Sequence, residues 1–138
     1  MWRTIGAIVA GIVAWVVVIT VLNIGLRLWL PGYVQVEHTL VFTLPMKIAR
    51  LSIAAVTSLV AGTVTRAIAS QSRLAPWIVG LVILLPFLWL HIHIWSKFPV
   101  WYHLTFLVPL VPLVVAGAAL WSSATSGEVS RSRRELPA

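Results

Sequence analysis

Residues 4–30 read TIGAIVAGIVAWVVVITVLNIGLRLWL and carry one charge, Arg27, close to the end. About 20 apolar residues in a helix cross a bilayer, so this run is long enough to span one with some tilt or with its last turns in the interface. A helix also satisfies its own backbone polar groups, which lipid cannot do. Arg3 precedes the run. A secretory signal has a shorter apolar stretch of about 7–15 residues and a small-residue cleavage site after it, so the expectation here is an uncleaved span. Ala7 with Gly11, and Ala10 with Ala14, sit four apart and leave a flat strip for another helix, or plain lipid-facing alanine. Asn23 and Arg27 share a face in the last turns, where the Arg27 stem can snorkel to the interface.

Composition extends that reading to the whole chain. The chain has 138 residues, 60% hydrophobic and only 9% charged, with mean hydropathy +1.00. Polar surface is too scarce to coat a soluble globule, so the outside faces lipid. The implied partner is the lipid bilayer, with a homo-oligomer or a membrane-protein partner as further expectations. The net charge of +7 comes from residues at the ends of apolar runs, where they meet headgroups; no solvated basic domain exists to bind nucleic acid. The absence of cysteine excludes thiol–disulfide chemistry, thiolate metal sites and iron–sulfur clusters.

Residues 31–45, PGYVQVEHTLVFTLP, interrupt the apolar pattern, with Pro31-Gly32 as a stop and Pro45 as a restart. Val34, Val36, His38, Leu40, Phe42 and Leu44 alternate with Tyr33, Gln35, Glu37, Thr39, Val41 and Thr43. Period two predicts a short irregular or extended segment capping the bundle. A second span follows at about 46–70 and is the richest in small residues. Ala54, Ser58 and Gly62 repeat every four positions beside a row of Thr57, Ala61 and Thr65, which predicts a helix packed at the bundle centre. The rival reading makes those hydroxyls the wall of a passive pore or small-molecule exporter.

The third span, about 74–95, has Pro76 in its first turn and Pro86 in its interior, where a kink is expected. The fourth, about 103–122, carries Pro109 and Pro112, which predict a bent or partly unwound first half. The fold class is therefore all-α, an integral membrane four-helix bundle over 1–122, with a disordered basic tail at 123–138. Arg3, Arg66, Arg73, Arg131, Arg133 and Arg134 fall on one side and Arg27, Lys47, Arg50 and Lys97 on the other. Both termini are placed in the cytoplasm because a short Arg-rich tail resists translocation, although the near balance also fits dual insertion.

Chemistry-bearing residues crowd at 91–103, HIHIWSKFPVWYH. His91 and His93 are two apart, about 200 degrees on a helix, and cannot chelate one ion together. One of them combined with His103 and His38 across the mouth of the bundle makes the alternative of a haem or transition-metal site. Trp95, Phe98, Trp101 and Tyr102, with Trp29 and Tyr33, read as an interfacial aromatic belt, and Pro99 as the corner. No cofactor is expected on the plainer reading of this stretch as an anchor. At the same end Arg27, Lys47 and Arg50 are candidates for lipid or anion binding. No carboxylate lies inside a span, and the motifs of hydrolases, zinc proteases and nucleotide-binding enzymes are missing, which leans against an enzyme. The glutamate that defines small multidrug exporters has no counterpart in Ile8 to Val18.

The order of features resembles small, uncharacterised four-helix bacterial inner-membrane proteins. It consists of Arg3 and a small-residue repeat opening the first helix, the Pro31-Gly32 exit, a small-rich second helix, and the Trp95-x-x-x-Pro99-x-Trp101-Tyr102-His103 corner before a proline-rich fourth helix. The resemblance spans nearly the whole chain and implies the fold and a bacterial cytoplasmic membrane, but brings no activity. The expectation is a structural or accessory, lipid-interacting bundle.

Overall fold

The computed structural model describes residues 2–134, with side chains described from Trp2 to Thr125. Helix α1 covers Trp2–Trp29, α2 Tyr33–Glu37, α3 Leu44–Ile68, α4 Ala75–His93 and α5 Val100–Arg134, with a single 3-10 turn at Trp95–Lys97. Four of these, α1, α3, α4 and α5 as far as Thr125, are long and apolar enough to cross a membrane. The chain is a multi-pass membrane helix bundle, with spans close to those expected.

Helices α3 and α4 each touch the other three spans, and α1 and α5 flank them. The most extensive interface joins α3 to α5. Its closeness has a simple cause. Gly62 lies against the backbone of Val114, and Gly117 against that of Leu59, with no room for a side chain at either position. Lipid supplies no hydrophobic drive between helices, so close backbone approach with its dispersion contacts takes that place. Ala54, Ser58 and Gly62 are all buried on this helix, as are Thr57, Ala61 and Thr65. The hydroxyls of Thr57, Ser58 and Thr65 donate to the carbonyls of Ile53, Ala54 and Ala61, at 2.6, 2.8 and 2.7 Å. On α1 the Ala7 and Gly11 strip is buried, while Ala10 and Ala14 are half-buried at its margin.

The outward faces stay apolar, as a lipid-facing surface requires: Val9, Val13 and Val17 on α1, and Leu81, Leu85 and Leu88 on α4, are exposed. Tryptophans mark both ends. Trp2, Trp77 and Trp121 are exposed near one end, and Trp29, Trp95 and Trp101 near the other. Tyr33, Phe98 and Tyr102, expected in this belt, are instead buried in a cluster with Leu26, Phe42 and Met46.

Two local expectations need correction. Of the two forms expected for the segment 31–45 it takes the irregular one, not a continuous extended run: Gly32, at φ 77°, turns the chain into the short helix α2. A lone extended segment has no partner strand, whereas a helical turn satisfies its own backbone. Burial here does not follow period two either, since the neighbours Val34 and Gln35 are both exposed and Val36 and Glu37 both half-buried. Helix α5 remains helical through Pro109 and Pro112, its inner face held by Leu110, Val111 and Val114 in the core. Helix α5 is described as far as Arg134; of the tail expected to be disordered, 123–138, residues 135–138 lie outside the described residues.

The glycines differ in a way that can be tested. Gly62→Ala and Gly117→Ala should each destabilise the bundle by about 1–3 kcal/mol through overpacking. Gly6→Ala and Gly25→Ala, which meet nothing within 4 Å, should leave it unchanged or gain up to about 1 kcal/mol of helix propensity. Unfolding in mixed micelles by SDS titration distinguishes them; equal effects at all four positions would contradict the close-packing account.

Candidate functional site

The end of the bundle where α1 exits and α3 begins gathers most of the polar chemistry. It is closed by the α2 segment and by the corner between α4 and α5. Arg50, two turns into α3, is half-buried there. Its Nη1 donates to the Tyr33 hydroxyl at 2.5 Å and its Nε to the Tyr102 hydroxyl at 3.4 Å. The guanidinium also lies 4.8 Å from the centre of the Phe42 ring, a cation–π contact that gains weight away from water. No carboxylate among the described residues pairs with it. The one described ion pair joins Arg27 to Glu37 at 2.8 Å, with both nitrogens Nε and Nη2 donating to the same oxygen.

Arg27 and Arg50 border one open cavity of about 390 Å³, together with Asn23, Glu37, Trp15 and Phe87. A smaller cavity, about 150 Å³, is also bordered by Arg50 and reaches His91. A guanidinium has five N–H donors. Two are used, by Tyr33 and Tyr102, which leaves three for a ligand. Lys47 is half-buried in the first turn of α3 and borders neither cavity.

The helical geometry separates His91 from His93 as expected. His91 faces inward and meets His103, with 2.8 Å between the two Nδ1 atoms. His103 is fully buried, and its Nε2 sits 3.3 Å from the Trp95 carbonyl. A carbonyl only accepts, so this Nε2 carries the proton in neutral His103. The His103 Nδ1 is then the acceptor and His91 Nδ1–H the donor. Aromatic rings enclose the pair: Trp95 stacks on His103 at 4.5 Å and Phe106 lies 4.7 Å from His91.

His93 faces outward, its Nδ1 2.9 Å from the Trp89 carbonyl and its ring 4.1 Å from the Trp89 ring. His38 is exposed at the end of α2. Of the four candidate metal or haem ligands, two are therefore brought together and two stand apart. Among the described residues no group of three or more His, Cys, Asp or Glu converges.

What sequence reasoning missed is the role of the two tyrosines. Both were placed in the interfacial belt, whereas they hold Arg50. The signal lay in the pairing itself: a basic residue more than a turn inside an apolar run needs polar partners, and phenol hydroxyls were the nearest donors and acceptors on offer. The fold and this end define a membrane helix bundle with a tyrosine-held cation facing a cavity. No family model, curated protein or solved structure matches the chain.

The histidine pair can be isolated by a double-mutant cycle. His91→Phe and His103→Phe should each cost about 1–3 kcal/mol by leaving a buried ring nitrogen without its partner. Removing both should cost less than the sum by about 1 kcal/mol. Additive losses in SDS unfolding would mean that the two rings do not bond.

Proposed function

We propose that the chain is an accessory, lipid-interacting bundle of a bacterial cytoplasmic membrane that holds an anionic lipid headgroup at Arg50. The observation that carries this is the unspent half of the Arg50 guanidinium. The side chain is fixed by Tyr33 and Tyr102, has no carboxylate partner among the described residues, and borders an open cavity at the end of the bundle. A fixed, unneutralised guanidinium at interface depth matches phosphate geometry and loses little freedom on binding. Arg27 is neutralised by Glu37 and serves to close the cavity rim, so Arg50 carries the attraction. Both termini are placed in the cytoplasm and this site therefore on the outer leaflet, because the Arg-rich end of the chain resists translocation.

The site is tested in nanodiscs of mixed phosphatidylcholine and phosphatidylglycerol, with a benzoylphenylalanine photo-crosslinker placed at Ile24 in the cavity wall. Phosphatidylglycerol should crosslink in preference to phosphatidylcholine, and Arg50→Gln should lower that yield by about tenfold, the loss of one or two charge-assisted bonds. Equal capture of the two lipids, or a yield that survives Arg50→Gln, would end this reading. Orientation is checked separately. The chain has no cysteine, so in intact cells Gln35→Cys should react with an impermeant maleimide and Ser70→Cys should not; labelling of both would indicate dual insertion.

A further inference from the structure

At the opposite end of the bundle lies an open groove of about 450 Å³ between α4 and α5. Arg66, Arg73, Trp77, Val115, Ala118 and Ser123 are among its walls. We propose that this groove is a phosphate-binding site in which Arg66 and Arg73 hold the phosphate group of an anionic lipid.

Arg66 is a fixed donor. In the last turn of α3, its Nε donates to the Ser122 hydroxyl at 2.9 Å and its Nη1 to the Ser72 carbonyl at 3.2 Å. These contacts tie the side chain to α5 and to the α3–α4 connection. They use two of five N–H donors and leave three. Arg73 comes from that connection, is exposed, and makes no hydrogen bond or ion pair among the described residues.

Two guanidiniums thus border one groove with spare donors and no described carboxylate to neutralise them. Glu37, the acidic residue whose side chain is described, is at the far end with Arg27. Like charges sharing a groove repel, and an anion between them removes that cost while filling the donors. A phosphate oxygen pair fits the planar fork of an arginine, whereas a halide cannot use two parallel N–H bonds.

The rest of the groove favours a ligand with an apolar part. Val115 and Ala118 form an aliphatic wall on α5, and Trp77 stands exposed in the first turns of α4, the level at which indole rings meet headgroups. Arg66 lies at the same level, at the end of its span. An acyl chain can follow the α4–α5 groove while its phosphate sits at the rim. This inference is independent of the Arg50 site, which lies at the other end of the same helix.

The test uses the full chain in mixed phosphatidylcholine and phosphatidylglycerol nanodiscs, with the photo-crosslinker at Ala119, which also lines the groove. Phosphatidylglycerol should be captured over phosphatidylcholine. The double variant Arg66→Gln/Arg73→Gln should lower capture by about tenfold or more, and Lys97→Gln, at an exposed position at the other end of the bundle, should leave it unchanged. Arg66→Gln also removes the contacts to Ser122 and Ser72, so Arg73→Gln alone serves as the second variant, with an intermediate loss expected. Excess inorganic phosphate distinguishes the source. Capture that persists in its presence supports a lipid-borne phosphate; capture that it abolishes supports the same site serving soluble phosphate. Equal capture of both lipids, or capture unaltered in Arg73→Gln and in the double variant, overturns the proposal.

Discussion

The contact between α3 and α5 sets the rest of the bundle. Two glycines oppose the backbone of the facing helix, Gly62 at Val114 and Gly117 at Leu59. The Thr63 hydroxyl spans the seam, 2.9 Å from the Leu59 carbonyl of its own helix and 3.1 Å from the Gly117 carbonyl across it. In lipid, apolar side chains gain nothing by meeting each other rather than an acyl chain. Contact area at van der Waals distance is what remains, and it is greatest where side chains are absent. The same logic explains why the helix of lowest hydropathy among the spans is one of the two that touch all the others.

A second constraint is that polar groups inside the spans find partners within the protein. No buried side-chain nitrogen or oxygen lacks a partner among the described residues. Serines and threonines meet this locally, through carbonyls one turn back. Longer polar groups need a neighbour on another helix: the Trp15 indole reaches the Ser58 hydroxyl at 3.4 Å, His91 reaches His103, and Arg50 reaches Tyr33 and Tyr102. Each of these links fixes a rotation of one helix against another. Apolar packing alone would tolerate sliding, so the links help to determine register as well as stability.

How much of this was legible in the sequence depended on the kind of signal. The four spans were, because apolar runs of this length have few other uses, and so was the row Ala54, Ser58, Gly62, whose spacing matches the helical repeat. The separation of His91 and His93 followed from 3.6 residues per turn. Which of the two faces inward did not, because it depends on the rotation of α4, set by distant contacts such as Gly80 against Val111. The α2 segment misled for a related reason. Alternation is a reliable strand signal only when a partner strand is available, and here Tyr33 was drawn inward by Arg50, a residue of another span. Proline gave a further overstatement at Pro109 and Pro112, where packing against α3 and α4 keeps the helix continuous.

The placement of cations follows from one helix. Arg50 and Arg66 are 16 residues apart on α3, about 24 Å at 1.5 Å per residue, close to the thickness of a hydrocarbon core of about 30 Å. A helix of this length with a guanidinium near each end resists sliding along the membrane normal, since any shift would drag one charge toward the bilayer centre. The two charges are held differently. Arg50 is clasped by phenols beneath the α2 cap, while Arg66 is tied to a hydroxyl and a carbonyl beside an open groove. Phenols and hydroxyls satisfy donors without cancelling charge, so among the described residues neither guanidinium has a carboxylate partner that would remove its attraction for anions. The Arg27–Glu37 pair shows the contrast: there the charge is cancelled, and the pair acts as a clasp between α1 and the end of α2. In this chain the choice of partner decides whether a basic residue anchors the fold only or also remains free to bind.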